Sequence, residues 1–465
     1  MPETFNSTDM TRAPYRTIWH LAWPQIIMMF FHFCIGLADV WVAGHIDRHV
    51  QASLGIITQS LLFLLILAMA VANGAVAAIS QSLGAGLLRR ANRYVGLCLV
   101  MVLMLGSVIM FVGLPFKTFI VTALQVPETM RPITRYFLTV YLYVLPPYYL
   151  LTITNAIFRA HKQVMFPLYS MILVTTINAV LDIGLGLGWW GFPEIGFKGL
   201  AWATFGSVTG GALFNLFVLA RWGLLCRACF APWRWARVAL PYLLKVAWPS
   251  GLTQIVWQSG YLFLYAITAS LPWDPVDALA GMAVGLRIEA LLFLPAFAFS
   301  MTASILIGHY LGARQLEEAK RFGFRILGLG VVSICIFTVC VWQFIPEWVS
   351  LLTTDPTVAA QAMSYLKWNV LAIPFTLTSM ILAGALNGAG ATFYNMLIMG
   401  SATWAIRLPL AYYLGHLGMR SAEGIWIAMF CSQIVQSLTL LYYYSFKNWQ
   451  RFAMIKNRKA NKVSA

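Results

Sequence analysis

Apolar runs of about 20 residues or more, broken by Pro, Gly and charged residues, recur twelve times along the chain. They predict membrane-spanning helices near residues 17–45, 51–84, 93–115, 131–158, 163–189, 197–222, 241–272, 277–313, 323–344, 360–388, 392–416 and 421–446. Several are longer than a perpendicular crossing needs, which predicts tilt, bending or protrusion beyond the hydrocarbon. Three carboxylates break the apolar pattern from within: Asp39, Asp182 and Glu289 lie deep inside predicted spans, whereas the other twelve of the 15 acids lie near span ends or between spans. A charge near the bilayer centre costs a few kcal/mol or more, so it is rare unless it faces protein or a water-filled cavity where it handles ions. The placement therefore points to transport.

Composition narrows the class further. The chain is 60% hydrophobic, 14% aromatic and 10% charged, against about 25% charged residues in a soluble domain. A polar leader, residues 1–16, precedes a first apolar run too long for a signal-peptide core, so that run is expected to remain as the first span. Basic residues are retained on the cytoplasmic side, and 22 of the 31 Lys and Arg fall in the leader, the even-numbered connections and the tail. Seven fall on the opposite side, and Arg287 and Arg407 fall inside spans. Both termini are expected to be cytoplasmic, in a multi-pass plasma membrane such as the bacterial inner membrane. The net charge of +16 then needs only anionic lipid headgroups as its partner, and no nucleic-acid partner is expected.

An internal repeat organises the spans. Ala22-Trp23-Pro24 recurs as Ala247-Trp248-Pro249, and Leu83-Gly84-Ala85 recurs as Leu311-Gly312-Ala313, with offsets of 225 and 228. Two halves with six spans each insert in the same orientation, related by an axis along the membrane normal. The expected fold is thus an all-α integral membrane protein with twelve transmembrane helices in two pseudo-twofold-related six-helix bundles. Its parts are a leader (1–16), an N-lobe (17–222), a cytoplasmic linker (223–240), a C-lobe (241–446) and a basic tail (447–465). A monomer is expected, with a substrate cavity where the halves meet.

These residues resemble the multidrug and toxic compound extrusion (MATE) family over nearly the whole chain. The resemblance is carried by the apolar-Trp-Pro start of span 1 with Gly36-Leu-Ala-Asp39, by Asn178-Ala-Val-Leu-Asp182 in span 5, by Gly199 with Thr204 in span 6, and by Arg287-Ile-Glu289 before Phe293-Leu-Pro295 in span 8. It implies an antiporter that exchanges protons or sodium ions for organic, usually cationic, substrates, with Asp39, Asn178, Asp182 and Thr204 as the ion-coupling site. One branch of the family has acids in spans 7 and 10, where this chain has Trp257 or Gln258 and about Thr376. The chain is closer to the DinF-like members, with Glu289 as an acid available from the second lobe. The repeat itself is asymmetric here, since Leu264, Arg407 and Ala411 fall opposite Asp39, Asn178 and Asp182.

Depth gives the same grouping. Asp39 and Asp182 lie 6 and 7 residues before the outer ends of their spans and Thr204 lies 7 after the outer start of its own, which at ~1.5 Å per residue is roughly 10 Å below the boundary for each. Asn178 and Asp182, four apart, share a helix face. Two carboxylates brought together in a low-dielectric site cannot both ionise cheaply, so the pair is expected to take up an external proton, release a cationic substrate outward and return inward. Sodium suits the same oxygen ligands. Pro24 is a candidate hinge. Trp41, Trp202, Trp257, Tyr261, Met282 and Phe293 are candidates for a substrate cavity, because aromatic faces attract organic cations and Met re-packs around varied shapes.

Two alternatives compete. A lipid-linked precursor flippase of the same superfamily would want basic residues to hold a pyrophosphate, and only Arg287 and Arg407 are intramembrane bases. A membrane-embedded enzyme would need a nucleophile, base or metal constellation, but the seven histidines are dispersed and the Cys226/Cys229 pair lacks a second pair. No organic cofactor and no resident metal are expected.

Overall fold

The computed structural model describes residues 13–225 and 229–454. The leader up to residue 12, Cys226 and the tail from residue 455 lie outside them. Among the described residues there is no strand, and long helices follow one another through short turns. The first half comprises α1 (Pro14–Ile46), α2 (Arg48–Gly84), α3 (Leu88–Ala123), α4 (Arg131–Ala160), α5 (Met165–Leu187) and α6 (Phe197–Arg221). The second comprises α7 (Trp233–Ala269), α8 (Pro275–Gly312), α9 (Leu316–Trp342), the short α10 (Ile345–Leu352), α11 (Pro356–Ala389), α12 (Thr392–Ser401), α13 (Leu408–Tyr412) and α14 (Ala422–Phe446).

Ten of these helices are long and apolar enough to cross a membrane. The two remaining predicted spans differ for identifiable reasons. Helix α7 has 37 residues, but Ser250, Thr253, Gln254, Gln258 and Ser259 dilute its apolar character. The segment 392–418 is helical throughout, yet π turns at Ala402–Arg407 and Tyr413–Gly418 flank α13. Pro409 has no N–H to continue the α ladder, and wide turns of this kind recur at functional sites. With these two, the described residues supply twelve helical passages, six in each half. Helix α7 starts at Trp233, eight residues before the start predicted from apolar content, because Trp233, Arg234 and Arg237 extend the helix beyond its apolar stretch.

The repeated motifs build the same local structure. After Leu83-Gly84-Ala85, the chain turns at Gly86 (φ 72°) while Gly86 N donates to Leu83 O and Leu87 N to Ser82 O. After Leu311-Gly312-Ala313, it turns at Arg314 (φ 60°) while Arg314 N donates to Leu311 O and Gln315 N to Tyr310 O. Both close a helix through a left-handed residue.

Packing repeats as well. In the first half α4 packs along α2, α3 and α6, and α5 packs along α6; in the second α11 packs along α8, α9 and α14, and the π turn at Ala402–Arg407 lies on α14. Small residues allow the close approaches. Gly384 and Gly388 of α11 lie against the backbone of Ser300 and Ser304 in α8, where a β-carbon would collide, as expected for helices that meet in a membrane without a hydrophobic driving force. The chain divides into two compact units, one holding 27–247 and the other 13–26 with 248–454. The boundaries fall within three residues of Pro24 and Pro249.

Helices α2 and α11 start on aspartate caps. Asp47 accepts from His49 N at 2.8 Å and Asp355 from Thr357 N at 2.9 Å. Bonds from the His49 backbone and ring hold the Asp47 carboxyl below its ordinary range, and bonds from the Thr357 hydroxyl and backbone do the same for Asp355. Their stabilising contribution is complete above the unfolded carboxylate range, about pH 4, and fades as acid protonates them in the folded state.

Candidate functional site

In the first unit, α5 carries Asn178 and Asp182 one turn apart, at 1% and 0% exposure. Asp39 of α1 brings its carboxyl to within interaction range of both. Helix α6 adds Thr204, whose hydroxyl donates to Leu200 O at 3.1 Å and so keeps its oxygen available as an acceptor. Helix α4 adds Tyr141, which stands beside Thr204 and close to both aspartates. The structure therefore groups Asp39, Asn178 and Asp182, with Tyr141 between them and Thr204.

Local packing explains the convergence. Helix α5 ends on Gly188 in the left-handed region (φ 71°), with its N–H on Gly184 O at 2.9 Å. One turn beyond Asp182, Gly186 fits against Val42 of α1 and Leu200 of α6, and Gly199 lies directly on the backbone of Leu185 and Gly186. On the other side of the site, Asn215 of α6 donates to Thr154 Oγ1 at 3.0 Å and Asn155 Oδ1 at 2.8 Å in α4, and Ser170 of α5 donates to the same Asn155 oxygen at 3.1 Å. These buried bonds tie α4, α5 and α6 together.

Five polar atoms of the site have no hydrogen-bond partner among the described residues. Asp39 Oδ1, both oxygens of Asp182 and both side-chain polar atoms of Asn178 are buried without a hydrogen-bond partner. Two ionised carboxylates can only accept, so they satisfy one another only when a proton turns one into a donor or when a cation lies between them. Burial without such compensation is costly. The arrangement suits reversible uptake of a proton or a small alkali cation, with Asn178 able to donate or accept as the charge changes.

The second unit is built differently. Glu289 of α8 is buried and accepts a hydrogen bond from the Tyr365 hydroxyl of α11. The Tyr365 ring packs edge-on against Trp426, centroids 4.9 Å apart, and crosses α8 at Gly285, where a β-carbon would displace it. Glu289 thus has its partner within its own unit. Tyr365→Phe is expected to leave that carboxyl buried and unpartnered, at a cost of about 1–3 kcal/mol. Thermal melting of the purified variant should show the loss, and the double variant Tyr365→Phe/Glu289→Leu should recover most of it; a Tyr365→Phe melting curve identical to wild type would show that the bond contributes nothing.

The expected cavity residues scatter. Trp257 lines a small cavity in the second unit and its ring lies 6.2 Å from that of Tyr261. Met282 is packed in the core with its sulfur beside Thr268, and Phe293 is likewise buried. Trp41 is exposed with its ring on His45, and Trp202, also exposed, donates to the Tyr136 hydroxyl. Pro24 is buried inside α1, next to Gln25, which donates to Leu21 O at 2.8 Å and to Thr302 Oγ1 at 2.9 Å. Tyr141 carried no sequence signal beyond being a hydroxyl within span 4.

Comparison with known proteins agrees with this architecture. The profile of the MatE family matches residues 24–183 and 249–413, once in each half. The chain is 24% identical over 448 residues to a probable multidrug resistance protein NorM of Thermotoga maritima, covering 95% of each. It is 22% identical over 457 residues to the uncharacterized transporter YisQ of Bacillus subtilis, covering 96% of this chain and 97% of that one. Among solved structures, an outward-facing multidrug resistance MATE family transporter of the MOP superfamily superposes with a TM-score of 0.85 at 20% identity, over 95% of this chain and 97% of that one. A MATE crystal structure in a bent conformation gives the same TM-score and identity, with 97% coverage of each chain.

Proposed function

The chain belongs to the MatE family of multi-pass membrane transporters, and from that premise we propose that it is an ion-coupled antiporter that expels organic, mostly cationic, compounds in exchange for protons or sodium ions. The observation that carries the reading is the facing pair Asp39 and Asp182, with Asn178 beside them and three of their four carboxylate oxygens unsatisfied. Relatives described as probable multidrug resistance proteins support the substrate class. The basic leader, connections and tail support cytoplasmic termini in a bacterial inner membrane.

The coupling follows from charge. With the pair ionised, the site attracts a cationic substrate; with a proton bound, that attraction weakens and the substrate leaves. A ligand shifts a conformational equilibrium only by its differential affinity for the two states, so the proton acts by allowing Asp39 to hydrogen-bond Asp182 and α1 to settle against α5 and α6. Inside the cell, release of the proton restores the anionic site. Thr204 and Tyr141 add neutral oxygens that suit either coupling ion, and protons are the favoured one because a single shared proton satisfies two facing carboxyls without further ligands.

The test is efflux of ethidium from proteoliposomes under an imposed proton gradient, and separately under a sodium gradient. Efflux driven by the proton gradient alone is expected. If neither gradient moves the dye, the cation-antiport reading fails and lipid-linked substrates become the next candidates.

A further inference from the structure

The second unit holds a charge of the opposite sign. Arg407, inside the π turn of the eleventh passage and only 2% exposed, donates through Nε to Ser432 Oγ at 2.9 Å. Its four terminal N–H groups find no acceptor among the described residues, and no carboxylate there lies within 4 Å of it. Glu289 acts on it only at longer range and is itself held by Tyr365.

Arg407 lines a small cavity bounded also by Trp257, Thr253, Thr376, Thr403 and Gln433. The space, about 20 Å³, is that of one water-sized group, comparable to a halide ion or a single carboxylate oxygen. No acid lines it. The Gln433 carbonyl oxygen is buried without a partner, so its amide is free to turn its NH2 inward. In the repeat, Arg407 stands opposite Asn178, the residue beside the acidic pair of the first half.

We propose that this cavity is a binding site for a small monovalent anion, either a carboxylate group or chloride, held by the Arg407 guanidinium with the Gln433 amide. A buried guanidinium with no carboxylate in contact is costly, and an anion that meets its planar fork compensates it. The four terminal N–H donors, the cavity they line and the absence of an acid in its walls among the described residues select an anion over a cation. The wide turn also has a role: Thr403 and Arg407, four residues apart, both reach the cavity from it. Anion binding at this cavity is independent of ion-coupled efflux and is measurable without transport.

The test is thermal melting of the purified full-length protein in a buffer whose anion is the bulky HEPES sulfonate, titrated with sodium acetate or sodium chloride. Wild type is expected to gain about 3 °C or more at saturation with at least one of them. Acetate alone would indicate a subsite for the carboxylate of a substrate, and chloride alone a resident halide. Arg407→Gln should abolish the gain. Should that variant fail to fold, Gln433→Glu is the second probe: its carboxylate supplies the counter-charge internally, so the protein should fold and lose its response to either salt. Absence of any anion-dependent gain in wild type, or a full response in folded Gln433→Glu, would overturn the proposal.

Discussion

Asp39→Asn is expected to reduce gradient-driven ethidium efflux from proteoliposomes by about tenfold or more, the equivalent of about 1.4 kcal/mol of lost coupling. Asparagine keeps the size and polarity of the protonated acid but cannot lose a proton. The site is then fixed in the form that releases substrate, and a proton gradient has no differential affinity left to act on. Folding should survive, because the amide NH2 can donate to the Asp182 oxygens that have no partner in the wild-type structure. Reconstitution yield and melting temperature should therefore match wild type while efflux falls. Efflux at the wild-type rate would remove Asp39 from the coupling site.

Gly199→Leu is the second large effect. Gly199 sits at the first turn of α6 directly on the Leu185 carbonyl, and a β-carbon there would lie 2.6 Å from backbone atoms that cannot swing aside. Overpacking of this kind costs about 1–3 kcal/mol or more, and the relief available is separation of α6 from α5, which moves Thr204 away from Asp182. Both the melting temperature and efflux should fall. Gly36→Ala in α1 is the control for stability, since its β-carbon would meet nothing within 4 Å. If Gly199→Leu melts and transports like wild type, the close approach of α5 and α6 is not what shapes the site.

Much of this organisation is legible in the chain itself. Apolar runs mark the passages because a lipid-embedded backbone must satisfy its own polar groups, which leaves the helix as the recurrent solution. Asp39 and Asp182 stand out because an acid in such a run is costly, and Asn178 follows from its place one turn before Asp182. Tyr141 was not legible: span 4 also carries Tyr136, Tyr143, Tyr148 and Tyr149, and only the rotation of α4 selects the one that meets Thr204. The pairing of Glu289 with Tyr365 was hidden for a similar reason, since it depends on Gly285 admitting an aromatic ring from α11 76 residues beyond Glu289. The π turns of the eleventh passage leave no periodic trace beyond Pro409. Met282 illustrates the converse, a residue suited by type to a cavity that the helix turns into the core.

The most direct test of proton coupling at Asp39 and Asp182 is proton release on substrate binding. Purified protein in weakly buffered detergent solution would be titrated with ethidium while a pH-sensitive dye reports protons, at a pH where the pair begins protonated. Linkage requires that a cation binding to the ionised pair displace protons, so wild type should release about one proton per ethidium bound and the Asp39→Asn/Asp182→Asn variant none. Ethidium binding without proton release in wild type across the accessible pH range, or undiminished release in the double variant, would contradict the account.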